Sequence, residues 1–233
     1  MSKDRLALVM PVYNESGAIR TVIEEWTKEL SRLGIDFQIH AYNDGSRDDT
    51  LRILNELARE IPRLVVHNKL NSGHGPTILR GYRENSGVEW IFQVDSDNEI
   101  SPEKFEDLWI RRDDYDFLVG RRVRPRQPWA RKVMSAASRT IVRIFYGSTV
   151  FDVNSPYRLM RCQALKKIFF SLPDRMFAPN VVISGMVSLK RLRVYETPVN
   201  QKQRATGEVS IRKWKLVKAA LRSSWQTAAY RFR

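Results

Sequence analysis

LALVMPVYNE, residues 6–15, begins with seven apolar residues and ends on a polar cluster. A run this short, closed by turn-forming residues, reads as a buried strand rather than a helix. The residues that follow, GAIRTVIEEWTKELSRLG (17–34), repeat Ile19, Val22, Ile23, Trp26, Leu30 and Leu33 at helical spacing and stop at Gly34. The alternation then continues. FQIHAYND (37–44) reads as a strand, and DDTLRILNELAREI (48–61) as a helix with Leu51, Leu54, Leu57 and Ile61 on one face. LVVHN (64–68), a glycine-rich turn, a short helix from Thr77, EWIFQV (89–94) and DFLVG (116–120) extend the series. Strands alternating with long helices predict an α/β protein whose central sheet is mostly parallel, with helices on both faces. In such sheets ligands collect beyond the carboxyl ends of the strands. PVYNE, NDGSRDD, HNKLNSGHG and DSDNE each close a strand, so four polar segments are expected on one rim.

The last of these lies in QVDSDNEISPE (93–103), which places Asp95, Asp97 and Glu99 within five positions. Acids so crowded repel one another unless a cation sits among them. A hard divalent ion such as Mg²⁺ or Mn²⁺ takes oxygen ligands and keeps positions open for phosphate. The competing structural reading is a helix cap, with Asp97 or Ser101 ahead of Pro102 and the acids of the first turn.

Composition narrows the class. The chain has 233 residues, 42% of them hydrophobic, enough for one large domain with a core. No stretch approaches eighteen consecutive apolar residues, and MSKDRLALVMPVYNE lacks the pattern of a signal peptide. A single cysteine, Cys162, excludes a disulfide framework and suits a reducing cytoplasm. The net charge is +14, and eight basic residues with no acid run from Arg121 to Arg143. Nucleic acid, an anionic membrane surface and phosphorylated substrates each match such a balance. Nucleic acid fits least. The basic residues are not interleaved with aromatics on a recognisable module, and the carboxylate cluster would repel phosphate without a metal. Residues 211–233 form a basic amphipathic pattern with Trp214, Trp225 and Phe232 on one stripe. That stripe suits a membrane interface, packing on the preceding domain, or a homo-oligomer contact.

Taken together, VMPVYNE (9–15), YNDGSRDDT (42–50), NSGHGPTILRGY (71–82), QVDSD (93–97) and GRR (120–122) resemble the family-2 glycosyltransferases over about residues 5–210. The resemblance implies a Rossmann-like glycosyltransferase A-type fold and an inverting enzyme with a nucleotide-sugar donor. Residues 1–210 would be its catalytic domain and 211–233 an appended helix. It assigns Pro11, Tyr13 and Glu15 to the first donor loop, and Asp44 to a base or ribose contact. The family's usual Asp-Asp reads Asn43-Asp44 here. Gly73 and Gly75 would let the backbone pass close to the donor. Asp95 and Asp97, with Glu99 beside them, match the motif that holds a divalent cation against the donor diphosphate. There the ion offsets the charge that builds on the leaving group.

The second half is similar to the polyprenyl-phosphate (dolichyl- or undecaprenyl-phosphate) sugar synthases. Asp152, Ser155, Tyr157 and Arg158 in FDVNSPYRLMR answer to a D-x-x-S-G-F-R segment, with Pro156 and Tyr157 in place of Gly and Phe. Glu196, Pro198, Arg204 and Gly207 answer to E-x-P-V and R-x-x-G-x-S. The resemblance implies a polyprenyl phosphate acceptor, and the basic amphipathic tail adds the expectation of peripheral attachment at the cytoplasmic membrane face. The resemblance makes Arg131 and Arg204 catalytic cations, with Arg121, Arg122, Arg131 and Ser155 around the acceptor phosphate. One absence agrees with it. A hydroxyl acceptor needs a general base, and Asp174 is the only acid between Val153 and Tyr195. A lipid phosphate is already anionic and needs guanidinium groups to hold it in line. The alternative is a family-2 enzyme acting on a sugar hydroxyl in surface-polysaccharide or lipopolysaccharide assembly. His74, in the glycine turn, lies within reach of a donor phosphate; His40 and His67 do not have metal-site spacing.

Overall fold

The computed structural model describes residues 5–123, 129–147, 150–202 and 225–231, apart from the side chains of 129–135 and 137. Seven strands, β1 (Arg5–Val12), β2 (Asp36–Asp44), β3 (Leu64–Lys69), β4 (Trp90–Gln93), β5 (Phe117–Val123), β6 (Arg158–Arg161) and β7 (Val194–Asn200), form one sheet. Their order is β3-β2-β1-β4-β6-β5-β7. All neighbouring pairs are parallel except those of β6, which runs against both β4 and β5. The helices are α1 (Ile19–Arg32), α2 (Thr50–Glu60), α3 (His74–Glu84), α4 (Phe105–Ile110), α5 (Trp129–Tyr146), α6 (Cys162–Ser171) and α7 (Pro179–Leu189). Among the described residues, none of the helices is long and apolar enough to cross a membrane.

Burial on both faces explains why the first strand is apolar throughout. Leu6, Leu8, Met10 and Val12 of β1 join the core under α1, α2 and α4. Ala7 and Val9 join the opposite core under α3, α5, α6 and α7. The first core is locked by an aromatic group. The Phe92 ring lies 5.1 Å from Trp26, 4.7 Å from Phe105 and 4.8 Å from Tyr157. On the other face Gly81 lets α3 lie directly on the sheet, since a Cβ there would meet Val9 Cγ1 at 2.4 Å. That close approach fixes where the amino end of α3 points, which matters for the rim.

Three features differ from the sequence reading. α3 starts at His74, three residues before Thr77. Before α4 the chain makes a 3₁₀ turn, Pro102–Lys104, in which Ser101 makes no side-chain cap. Asp97 accepts instead from the Glu99 amide at 3.1 Å, closing its own turn and leaving the helix uncapped by it. β6, α6 and α7 complete the second half.

A histidine pair marks the β2–β3 edge. His40 Nδ1 and His67 Nε2 are 3.1 Å apart, the Tyr42 ring stacks on His67 at 4.2 Å, and the Tyr42 hydroxyl donates to Glu84 at 2.9 Å. Burial, then the neighbouring His67, pushes His40 down to about 4. The folded protein therefore holds His40 neutral while the unfolded chain protonates it near pH 6.5. Stability from this group is complete above pH 6.5 and is lost as pH falls towards 4. Denaturant unfolding across that window should show a loss of roughly 2 kcal/mol, and the slope should flatten in His40→Gln.

Candidate active site

The carboxyl ends of β1, β2 and β4 lie side by side, with Pro11 opposite Tyr42 and Val9 opposite Gln93. Beyond them opens a cavity of about 1550 Å³. It gathers Pro11, Tyr13 and Glu15 from the end of β1, Asp44 from β2, Gly73 and Gly75 from the glycine turn, and Asp95 and Asp97 after β4. Four separate segments thus meet on one rim, as their positions at strand ends predict.

The loops after β1 and β2 are clipped together by short polar side chains. The Asn14 amide donates to Ser46 Oγ at 3.0 Å, the Glu15 amide to Thr50 Oγ1 at 2.8 Å and the Ser16 amide to Asp48 at 3.1 Å. Asn14 returns a bond from the other side by accepting from the Arg47 amide at 2.8 Å. Asn43, where the family has Asp, is buried; it donates to Asn68 at 2.8 Å and accepts from Ser46.

Asp44 is only 4% exposed. Its carboxylate accepts from the Lys69 ammonium and from the amides of Ser72 at 2.8 Å and Gly73 at 2.9 Å. Lys69 also donates to the Leu70 carbonyl at 3.0 Å and to Ser72 Oγ at 2.8 Å, so all three of its protons are used. Gly73, at φ +93°, adopts a backbone conformation that L side chains rarely enter. Gly75 is limited by space: a Cβ would lie 2.2 Å from the Phe177 carbonyl oxygen and 2.4 Å from that of Met176.

His74 opens α3 and places Nε2 3.2 Å from Asp95 Oδ1. Burial lowers the His74 pKa, but the bond and charge of Asp95, with Asp44 and Asp97 nearby, more than offset this and raise it. Burial raises Asp95, yet His74, the charge of Arg122 and a bond from Gln93 hold it below the usual carboxylate range. Both carboxylates line the cavity, but Glu99 does not; it accepts from Gln201 Nε2. Among the described residues no three His, Cys, Asp or Glu side chains are grouped to hold a metal ion. Asp95 and Asp97 alone still suit a hard divalent cation, which takes oxygen ligands and commonly completes its shell with phosphate and water.

The acceptor-side residues are placed differently. Ser155 is fully buried; its hydroxyl donates to the Gly120 carbonyl at 2.5 Å and accepts from the Tyr157 amide at 3.2 Å. It braces a turn and does not line the cavity. Arg122 is bound bidentately to Asp152, at 2.7 and 2.8 Å. The Arg121 guanidinium lies 5.2 Å from the exposed Phe151 ring, which Arg139 covers on closer terms at 3.7 Å. Arg131 falls in α5, with its side chain outside the described residues, and Arg204 lies outside them altogether. Residues 225–231 are helical and pack on the domain. Tyr146 donates to the Thr227 carbonyl at 2.7 Å, and the Phe177 amide donates to Gln226 at 2.9 Å.

Sequence reading missed Lys69, Ser72, Gln93 and Arg175. Lys69 and Ser72 sit in the quoted HNKLNSGHG segment, where the glycines drew the attention. Arg175 carries no sequence signal beyond its charge, but the fold brings it to the cavity wall.

A mostly parallel sheet with two carboxylates after β4 and a buried acid at the end of β2 is the arrangement of the glycosyltransferase A-type fold. The match to the glycosyl transferase family 2 model over residues 7–169 places the chain in that family. It is 26% identical over 207 residues to an undecaprenyl-phosphate 4-deoxy-4-formamido-L-arabinose transferase from Enterobacter sp. (strain 638). The match covers 88% of this chain and 62% of that relative's length. Among solved structures, glucosyl-3-phosphoglycerate synthase from Mycobacterium tuberculosis, with Mn²⁺, UDP and glucosyl-3-phosphoglycerate, superposes at TM-score 0.69 and 15% identity. That superposition covers 98% of this chain and 80% of the other. S. aureus TarS with UDP-GlcNAc gives 0.61 at 20% identity, over 88% and 60%. At these identities the structures establish the shared fold.

The Gly75 contact is open to test. Gly75→Ala should force the backbone of residues 176–177 outward and weaken binding of UDP or GDP, whichever the wild type takes, at least tenfold by calorimetry. The melting temperature should fall by a few degrees.

Proposed function

We propose that this enzyme transfers a sugar, with inversion and with a divalent cation, from a nucleotide diphosphate sugar to a polyprenyl phosphate at the cytoplasmic face of a membrane. The observation that carries the reading is the meeting of the β1 loop, Asp44, the glycine turn and the Asp95–Asp97 pair in one cavity. The relative named as an undecaprenyl-phosphate transferase supports the acceptor class.

The chemistry follows from the charges. Asp95 and Asp97 would hold the cation, which when bound supplies positive charge to the diphosphate. Gly73 and Gly75 let the backbone pass close to the donor, and Asp44 keeps their turn in place. An oxygen of the acceptor phosphate forms the new bond to the anomeric carbon while the bond from that carbon to the diphosphate breaks. The electron pair leaves with the nucleoside diphosphate. A phosphate acceptor arrives ionised, so no proton need be removed. Asp174, the sole acid between Val153 and Tyr195, is ion-paired to Arg83, which fits this economy. Arg175 lines the cavity and is exposed, so it is available to meet a phosphate there. The basic residues 121–143 and the tail are the features suited to an anionic membrane surface.

A second reading, transfer to a sugar hydroxyl, rests on Asp174, because it also lines the cavity. A donor screen with undecaprenyl phosphate separates the two. Lipid-linked product should form with one nucleotide sugar, vanish with EDTA, and drop at least a hundredfold in Asp97→Asn. Asp174→Asn should stay within threefold of wild type. Transfer to a saccharide with none to lipid phosphate would favour the second reading.

A further inference from the structure

Gln93 ends β4 two residues before Asp95 and is wholly buried, yet its amide is bonded at both ends. The carbonyl oxygen accepts from the Tyr82 hydroxyl at 2.6 Å and from Asn180 Nδ2 at 2.8 Å. The amide nitrogen donates to Asp95 Oδ1 at 3.3 Å. This orientation is forced. Flipped, the amide would set its NH₂ against the Asn180 NH₂ and its oxygen against the Asp95 carboxylate. Asn180, near the start of α7, is anchored in turn: its carbonyl accepts from Arg158 at 3.2 Å, and its Oδ1 lies 2.9 Å from the Tyr82 hydroxyl. Tyr82, Gln93, Asn180 and Arg158 are each at most 2% exposed. Four long polar side chains in a core carry a desolvation cost that apolar residues would avoid. The connection they make is to Asp95.

We propose that Gln93, held by Tyr82 and Asn180, is a positioning residue that sets the Asp95 carboxylate for the cation and donor diphosphate. His74 and Gln93 both bond Oδ1, one from the surface and one from the core, which fixes the carboxylate plane and leaves Oδ2 for a ligand. The inference rests on the proposed donor site and assigns it a buried support to which the sequence reading gave no role.

Calorimetry on the full chain tests it, with UDP, GDP and CDP as probes, each with Mn²⁺ and with EDTA. Gln93→Leu should weaken the Mn²⁺-dependent binding ten- to a hundredfold while leaving binding in EDTA within twofold. Tyr82→Phe, which keeps the ring, should weaken it two- to tenfold. Leu54→Ala opens a cavity in the other core and should lower the melting temperature at least as much with no change in affinity. Gln93→Leu within twofold of wild type, or Leu54→Ala weakened equally, overturns the proposal. Should Gln93→Leu not fold, an unchanged Tyr82→Phe overturns it alone. A wild-type protein that binds none of the three nucleotides with Mn²⁺ overturns the donor-site reading, and this inference with it.

Discussion

The buried carboxylate of Asp44 is the constraint on which the rim depends. An ionised acid taken out of water is stable only with a counter-charge and donors around it. Lys69 supplies the charge, and the amides of Ser72 and Gly73 supply the donors. Satisfying that one group draws the chain after β3 across the end of β2 and turns it at Gly73 into α3. From there the rest follows by geometry. α3 lies flat on the sheet at Gly81, so its first residue, His74, falls beside Asp95, and Gly75 falls beneath the carbonyls of Met176 and Phe177. A pairing at the end of one strand therefore sets the position of the acid after another.

The fold treats its positive charge in a similar way, by committing most of it. Arg83 donates to the carbonyls of Phe169 and Leu172 and pairs with Asp174; Arg80 pairs with Glu84; Arg122 pairs with Asp152. Arg158 makes no ion pair with a carboxylate among the described residues. It spends its guanidinium on the carbonyls of Val153, Ser155 and Asn180, and burial pushes it down to about 10, where it stays charged at neutral pH. A net charge of +14 thus overstates what a ligand would meet, because these cations build the walls. Around Asp95 and Asp97 the described cations Lys69, Arg80, Arg83 and Arg122 are already paired, so a divalent ion would be the natural complement to the proposed donor diphosphate.

The same accounting explains what was legible in the sequence. β1, β2, α1 and α2 were clear because burial there follows one period for many residues, and the rim was clear because polar clusters recur at strand ends. β6 was not: RLMR is four residues long, the first of its two arginines, Arg158, is buried in the core, and nothing local separates it from a loop. α7, NVVISGMVSL after Pro179, is apolar on nearly every side and has no helical stripe to read. Ser155 and Arg122 were visible as motif residues, but whether a hydroxyl or guanidinium faces a ligand or a neighbour depends on partners distant in sequence. Gln93 was hidden for the opposite reason. It belongs to an apolar run, and its three partners come from helices α3 and α7 and from the loop beyond it.

The tail shows how these constraints reach the cavity from outside. Read as a sequence, 211–233 is an appendage with a membrane-compatible stripe. Over 225–231 it follows the packing alternative, tied to α5 by Tyr146 and Arg231, to α6 by the Ser171–Tyr230 contact, and to the loop before α7 by Gln226. That last bond lands on the Phe177 amide, whose own carbonyl crowds Gly75. The loop between Pro173 and Ala178 is thus held on one side by the tail and on the other by the turn that Asp44 organises. Trp225, at 72% exposure, leaves this packed stretch facing outward. A surface that engaged Trp225 would act on a helix already bonded to the cavity wall.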